Sequence, residues 1–140
     1  MRVWRSFLHA HAHVTRKLEA ELVADQDLSL STYDVLVQLA EAPQQRLRMT
    51  QLAERVVLSR SGLTRLVDRL EGEGYVARVA CPDDARGLFC VLTPPGLKRL
   101  REASGVHLRG VADHVVSRYT ADELAQLHAL LSRMIDEPES

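Results

Sequence analysis

The stretch at residues 49–96, MTQLAERVVLSRSGLTRLVDRLEGEGYVARVACPDDARGLFCVLTPPG, changes its hydrophobic period twice, from helix to strand and back. Met49, Leu52, Ala53 and Val56 recur at i, i+3, i+4 and i+7, the spacing of one helix face. Ser59 then offers a hydroxyl to an unpaired amide of a new first turn. Leu63, Leu66, Val67 and Leu70 repeat the stripe. Gly74 ends that helix, because glycine tolerates the left-handed conformation a helix end needs. Two β-forming runs, YVARVAC and LFCVL, flank the turn-forming PDDARG at 82–87. Thr93 and Pro94 restart helix: threonine caps, and proline at the first position gives up no needed donor.

Outward from this stretch the chain reads as helix on both sides. Val3, Phe7, Ala10, Val14, Leu18 and Leu22 make an amphipathic stripe that breaks at 28–31. Tyr33, Leu36, Val37 and Ala40 share a face of a second helix that stops before Pro43. After the hairpin come Leu97, Leu100, Leu108, Val111 and Val115. TADE at 120–123 is a capping box opening a last helix with Leu124, Leu127, Leu131 and Met134 on one side. The expected fold class is mainly α with one β-hairpin wing, in the order four helices, hairpin, two helices.

With 140 residues the chain is long enough for one domain with a sizeable core. No apolar run has the length to cross a bilayer, and the first residues lack the pattern of a secretory signal. A cytoplasmic protein without a membrane partner is expected. Cys81 and Cys90 are too few for a disulfide framework and suit a reducing compartment. The net charge of -1 conceals a division. Residues 46–101 hold 11 basic and 6 acidic side chains, while the rest of the chain carries a net -6. A basic contact module on an acidic scaffold fits that asymmetry.

Only Val57, Leu58 and Ser59 separate the third and fourth helices, a helix-turn-helix spacing. With the apolar stripe inward, Ser61, Thr64, Arg65, Asp68 and Arg69 point outward. Small hydroxyls early in a helix and arginines one turn later suit a helix lying in the DNA major groove. Asp68 and Glu71 weaken a purely electrostatic argument. The adjoining hairpin strengthens it, because strands beside such a helix pair form a wing. At the wing's tip Arg86 can enter the neighbouring minor groove, with Asp84 bracing its guanidinium.

The combination resembles the MarR family of bacterial winged helix-turn-helix regulators. It is carried by MTQLAERVVLSRSGLTRLVDRLEGEGYVAR (49–78), DDAR (83–86) and LTPPG (92–96), with LSLSTYDVLVQL (28–39) leading in. The resemblance implies a homodimer on double-stranded DNA, more often a repressor, reading a pseudo-palindromic operator. Residues 1–29 and 94–140 would supply dimerisation helices, and 30–93 the winged helix-turn-helix module. It implies DNA-binding roles for Ser59, Arg60, Ser61, Thr64, Arg65, Arg69, Arg78, Asp84 and Arg86, with an ion pair as the other role open to Arg78. Val57 replaces a common turn glycine, Ala85 replaces a common second wing arginine, and Gly72 loosens the end of the recognition helix.

The family also implies a small aromatic effector in a crevice between the dimer helices and the winged module. Trp4, His9, His13, Arg16 and Tyr33 are the candidates to line it; Trp4 and Tyr33 are otherwise core residues. No cofactor is expected. His9 and His13 at i, i+4 have zinc-binding spacing but lack a nearby third ligand in sequence. Cys81 and Cys90, placed diagonally on one face of the hairpin, raise a thiol switch. No serine has convincing base and acid partners and no phosphate loop is present, so the chain is not expected to be an enzyme. Two other readings stay open: a metal- or thiol-responsive regulator of the same fold, and a winged-helix protein-interaction module that binds no DNA.

Overall fold

Helix boundaries follow from local capping. The computed structural model describes residues 1–56 and 58–135, with the side chains of Arg60 and Ala85 outside the description. Helix α1 (Arg2–Gln26) closes on Asp27, which takes a left-handed conformation. Ser29 accepts the Thr32 amide at 3.1 Å and so opens α2 (Leu30–Glu41). Strand β1 (Arg46–Arg48) leads directly into α3 (Met49–Arg55). Ser59 accepts the Gly62 amide at 3.1 Å and opens α4 (Arg60–Gly72), as its position in sequence predicts. Gly74, at φ +82°, turns the chain into β2 (Val76–Cys81). Strand β3 (Asp84–Leu92) returns to Thr93, whose hydroxyl accepts the Gly96 amide at 3.1 Å to open α5 (Pro94–His114). The capping box of Thr120 and Glu123, made in both directions, opens α6 (Ala121–Ile135).

The wing is more than a hairpin. Its antiparallel sheet has the order β1-β3-β2, with Leu47 opposite Cys90 and Arg48 opposite Phe89. The turn is also tighter than PDDARG suggests: Cys81 pairs with Asp84, while Ala80 pairs with Leu88. Arg86 therefore lies in an irregular bulge of β3 rather than in the turn itself. Such a bulge twists the strand and re-aims its side chains.

One core holds these elements together. Leu36 and Leu39 of α2, Leu52 of α3, and Leu63, Val67 and Leu70 of α4 pack with Val76, Cys90 and Leu92 of the sheet. Leu22 of α1 and Leu100, Ala103 and Val106 of α5 extend the same cluster. Two polar contacts fasten α1 to α5: Glu21 meets the ring of His114, and Arg99 donates to the side chain and carbonyl of Gln26.

The two terminal stripes are buried less than their periodicity predicts. In α1 only Leu18 and Leu22 are buried, whereas Val3, Trp4 and Phe7 are exposed. Trp4 is thus not a core residue, while Tyr33 is. In α6 no residue is buried, and Met134 and Ile135 are 62% and 77% exposed. An apolar stripe records that a face needs covering, not what covers it within one chain.

Candidate nucleic-acid interface

Helix α4 presents its outward face as the sequence predicts. Leu63, Leu66, Val67 and Leu70 are buried, and Ser61, Thr64, Arg65, Asp68 and Arg69 are exposed. Ser59 is occupied as the cap, and its oxygen lies 3.3 Å from that of Ser61. The side chain of Arg60 and all of Val57 fall outside the described residues.

The arginines divide sharply by what holds them. Among the described residues, no hydrogen bond or ion pair engages the guanidinium of Arg65 or of Arg86. Arg69 instead turns back and donates to the Thr32 hydroxyl at 3.2 Å. Arg78 pairs with Asp68 and, at 3.1 Å, with Glu71, and its amide donates to Glu71 at 2.8 Å. That amide and the guanidinium hold the Glu71 carboxyl below its usual range, while Asp68 first, then Glu71, raise Arg78. Arg78 is thus ion-paired in this structure and joins β2 to α4.

Asp84 braces the wing differently from expectation. Its carboxylate accepts the backbone amide of Arg86 at 3.0 Å and approaches the guanidinium of Arg48 at 4.0 Å. It orients the bulge, and no described residue engages the Arg86 side chain. Two cations on β1 were not singled out from sequence. Arg46 lies 4.4 Å from the centre of the Phe89 ring and Arg48 lies 5.7 Å from it, both within cation–π range. The alternation in RLR at 46–48 was the available signal, but three residues are too few to separate a strand from a loop.

A crevice of about 850 Å³ lies between α1, α2 and α5. Arg16 and Tyr33 line it, together with His11, Glu19, Asp34 and His107. Trp4, His9 and His13 do not. On a helix two residues are about 200° apart, so the face that brings His11 to the crevice turns His9 and His13 away. Trp4 lies near the exposed end of α1 and stacks on Phe7 with centroids 6.2 Å apart. His107 tilts onto Tyr33 at 4.3 Å, and its buried Nδ1 has no hydrogen-bond partner among the described residues. Burial lowers the pKa of His107 against the pull of Asp34; burial also raises Asp34, opposed first by its hydrogen bond from Gln38.

The metal and thiol alternatives find little geometry. Among the described residues no three His, Cys, Asp or Glu side chains cluster closely enough to hold a metal ion. No helix among them is long and apolar enough to cross a membrane. Cys90 faces Arg78 across the strands and Cys81 faces Asp84, so the Cα of Cys90 stands level with a position three residues from Cys81 along β2. At about 3.3 Å per residue that is roughly 10 Å, beyond disulfide reach and farther than the diagonal placement expected. Burial pushes the Cys90 thiol up to about 12. At pH 8 about one molecule in ten thousand would then carry the reactive thiolate. In native Cys81→Ser protein, iodoacetamide should leave Cys90 unmodified for an hour, whereas the unfolded chain reacts. Stoichiometric labelling of the native protein within minutes would show this thiol to be accessible and activated.

A sequence model of the MarR family matches residues 26–87. The multiple antibiotic resistance protein MarR of Salmonella typhimurium is 33% identical over 73 residues, which make up 52% of this chain and 51% of that protein. The chain thus spans about half the length of that curated relative. Similarity to solved structures runs further. AbsC, a MarR family transcriptional regulator from Streptomyces coelicolor, has a TM-score of 0.86 at 32% identity, covering 95% of this chain and 89% of its own. A second MarR family transcriptional regulator from that organism, solved in complex with DNA, has a TM-score of 0.84 at 35% identity, covering 99% of this chain and 89% of its own.

Proposed function

The chain belongs to the MarR family of transcriptional regulators, and from that premise we propose that it binds duplex DNA sequence-specifically as a homodimer. One observation carries this reading. The two protrusions of a basic module, α4 and the wing, each expose an arginine that nothing within the described chain engages, Arg65 and Arg86. Ser61, Thr64 and Arg65 face the major groove, and Arg86 enters the flanking minor groove. Arg78 and Asp84 support these contacts from behind. The relative solved in complex with DNA supports a DNA partner for this chain.

The dimer is supported by the apolar surface left uncovered on α1 and α6, from Val3 and Phe7 to Met134 and Ile135. Residues 1–29 and 94–135 interlock with a second copy (136–140 lie outside the described residues), and the 30–93 modules then face half-sites about one helical turn apart. Binding at a promoter occludes it, so the protein acts as a repressor. The crevice admits a small aromatic effector: its volume lies in the range of ligand sites, and Tyr33, His107 and Arg16 offer aromatic faces and a cation. An effector that favours one spacing of the modules shifts the population away from the DNA-competent state.

Fluorescence anisotropy against a duplex selected from a random pool, and against its scrambled counterpart, tests this reading. Tight binding of one dimer to the selected duplex is the expected result. Arg86→Ala should weaken it and reduce the salt slope by about one per wing if the guanidinium neutralises phosphate charge. An unchanged slope and affinity would remove the wing assignment. No binding to any duplex at low salt would favour a protein-interaction module.

A further inference from the structure

Two arginines one turn apart on the outward face of α4 have different fates. Among the described residues nothing engages Arg65, but Arg69 leans back onto Thr32, a residue only 2% exposed. Thr32 belongs to the cap of α2. Its Oγ1 accepts the Ser29 hydroxyl at 2.8 Å, and its amide donates to Ser29 at 3.1 Å. Within the same turn the Leu30 amide donates to the carboxylate of Glu19 on α1. Glu19, Leu30 and Ser31 all line the crevice. Two sets of polar contacts, joined by the backbone of residues 29–32, therefore connect the crevice wall through the first turn of α2 to α4.

We propose that Arg69 is a positioning residue rather than a DNA contact: it ties α4 to the α2 cap, so the attitude of the recognition helix follows the crevice wall. The physical warrant is the acceptor. A charged hydrogen bond to a partly buried oxygen is stronger than one made in water, and α2 is rooted in the core through Val35, Leu36 and Leu39. A ligand that shifts the first turn of α2 moves the oxygen on which Arg69 rests. The role in DNA binding rests on the regulator reading above; the tether itself does not.

A double-substitution cycle separates the two. Arg69→Ala, Thr32→Val and the double variant are compared for binding to the selected and scrambled duplexes at several salt concentrations. Amide exchange of residues 60–72 is followed in the same proteins without DNA. Each single change should lower affinity for the selected duplex roughly five- to ten-fold, and the double should lose no more than either. The salt slope and scrambled-duplex affinity should hold. Exchange in α4 should quicken equally in all three variants. Thr32→Ser, which keeps the hydroxyl, should behave as wild type, which guards against a general folding defect. Additive losses, or a salt slope that Arg69→Ala alone lowers by about one per protomer, would overturn the proposal and return Arg69 to phosphate. Unaltered exchange in both single variants would overturn it as well. If the wild type binds no duplex, the regulator reading fails while exchange still decides the tether.

Discussion

Gly96→Ala should cost about 3 kcal/mol of folding stability and lower the melting temperature by roughly 10 °C. Gly96 is buried in the first turn of α5, where the chain passes the end of α4. A Cβ there would stand 2.1 Å from the carbonyl oxygen of Tyr75 and 2.8 Å from Leu92 Cδ1. The carbonyl cannot easily retreat. It accepts the Thr93 amide at 3.1 Å, and the Tyr75 amide donates to Leu70 at 2.9 Å. The Thr93 hydroxyl meanwhile donates to the Gly74 carbonyl at 2.6 Å. One methyl group would thus separate α5 from the turn that joins α4 to the wing. Circular dichroism melts read the effect directly. A melting temperature within a degree of wild type would mean that this junction gives way without strain.

Arg65→Ala should have the largest effect on recognition while leaving the fold intact. The side chain is exposed and makes no polar contact among the described residues, so the melting temperature should stay within about 2 °C. If the guanidinium reads a base, its loss should cost about 1–3 kcal/mol at each half-site. The discrimination lost should fall on one position of the half-site. Affinities measured over single-base variants of the selected duplex give that profile. An equal loss on every sequence would reassign Arg65 to phosphate. The contrast with Arg69 is informative, because the two differ by one helical turn and share residue type.

Much of the architecture was legible because it rests on neighbours in sequence. Ser59, Thr93 and the pair Thr120 and Glu123 each cap an amide three residues away or less. Gly74 takes the left-handed conformation predicted for it. The short β1 was missed because a three-residue strand carries too little periodicity, and its partner in the sheet lies more than forty residues on, Arg46 opposite Val91. Of the proposed crevice residues, Arg16 and Tyr33 line it and Trp4, His9 and His13 do not. Histidine spacing says which residues share a face, but not which way that face turns.

By itself, then, the sequence determined the helices, the caps of α4, α5 and α6, the hairpin of the wing and the outward face of α4. Those features depend on hydrophobic period and on contacts within a turn. Only the tertiary structure decided the employment of the arginines. Arg78 reaches Asp68 ten residues back, Arg69 reaches Thr32 across 37 residues, and Arg65 and Arg86 reach nothing within the described chain. A guanidinium on a long flexible stem seeks whatever acceptor the fold brings near, and that acceptor is set by packing between distant segments rather than by the residues beside it.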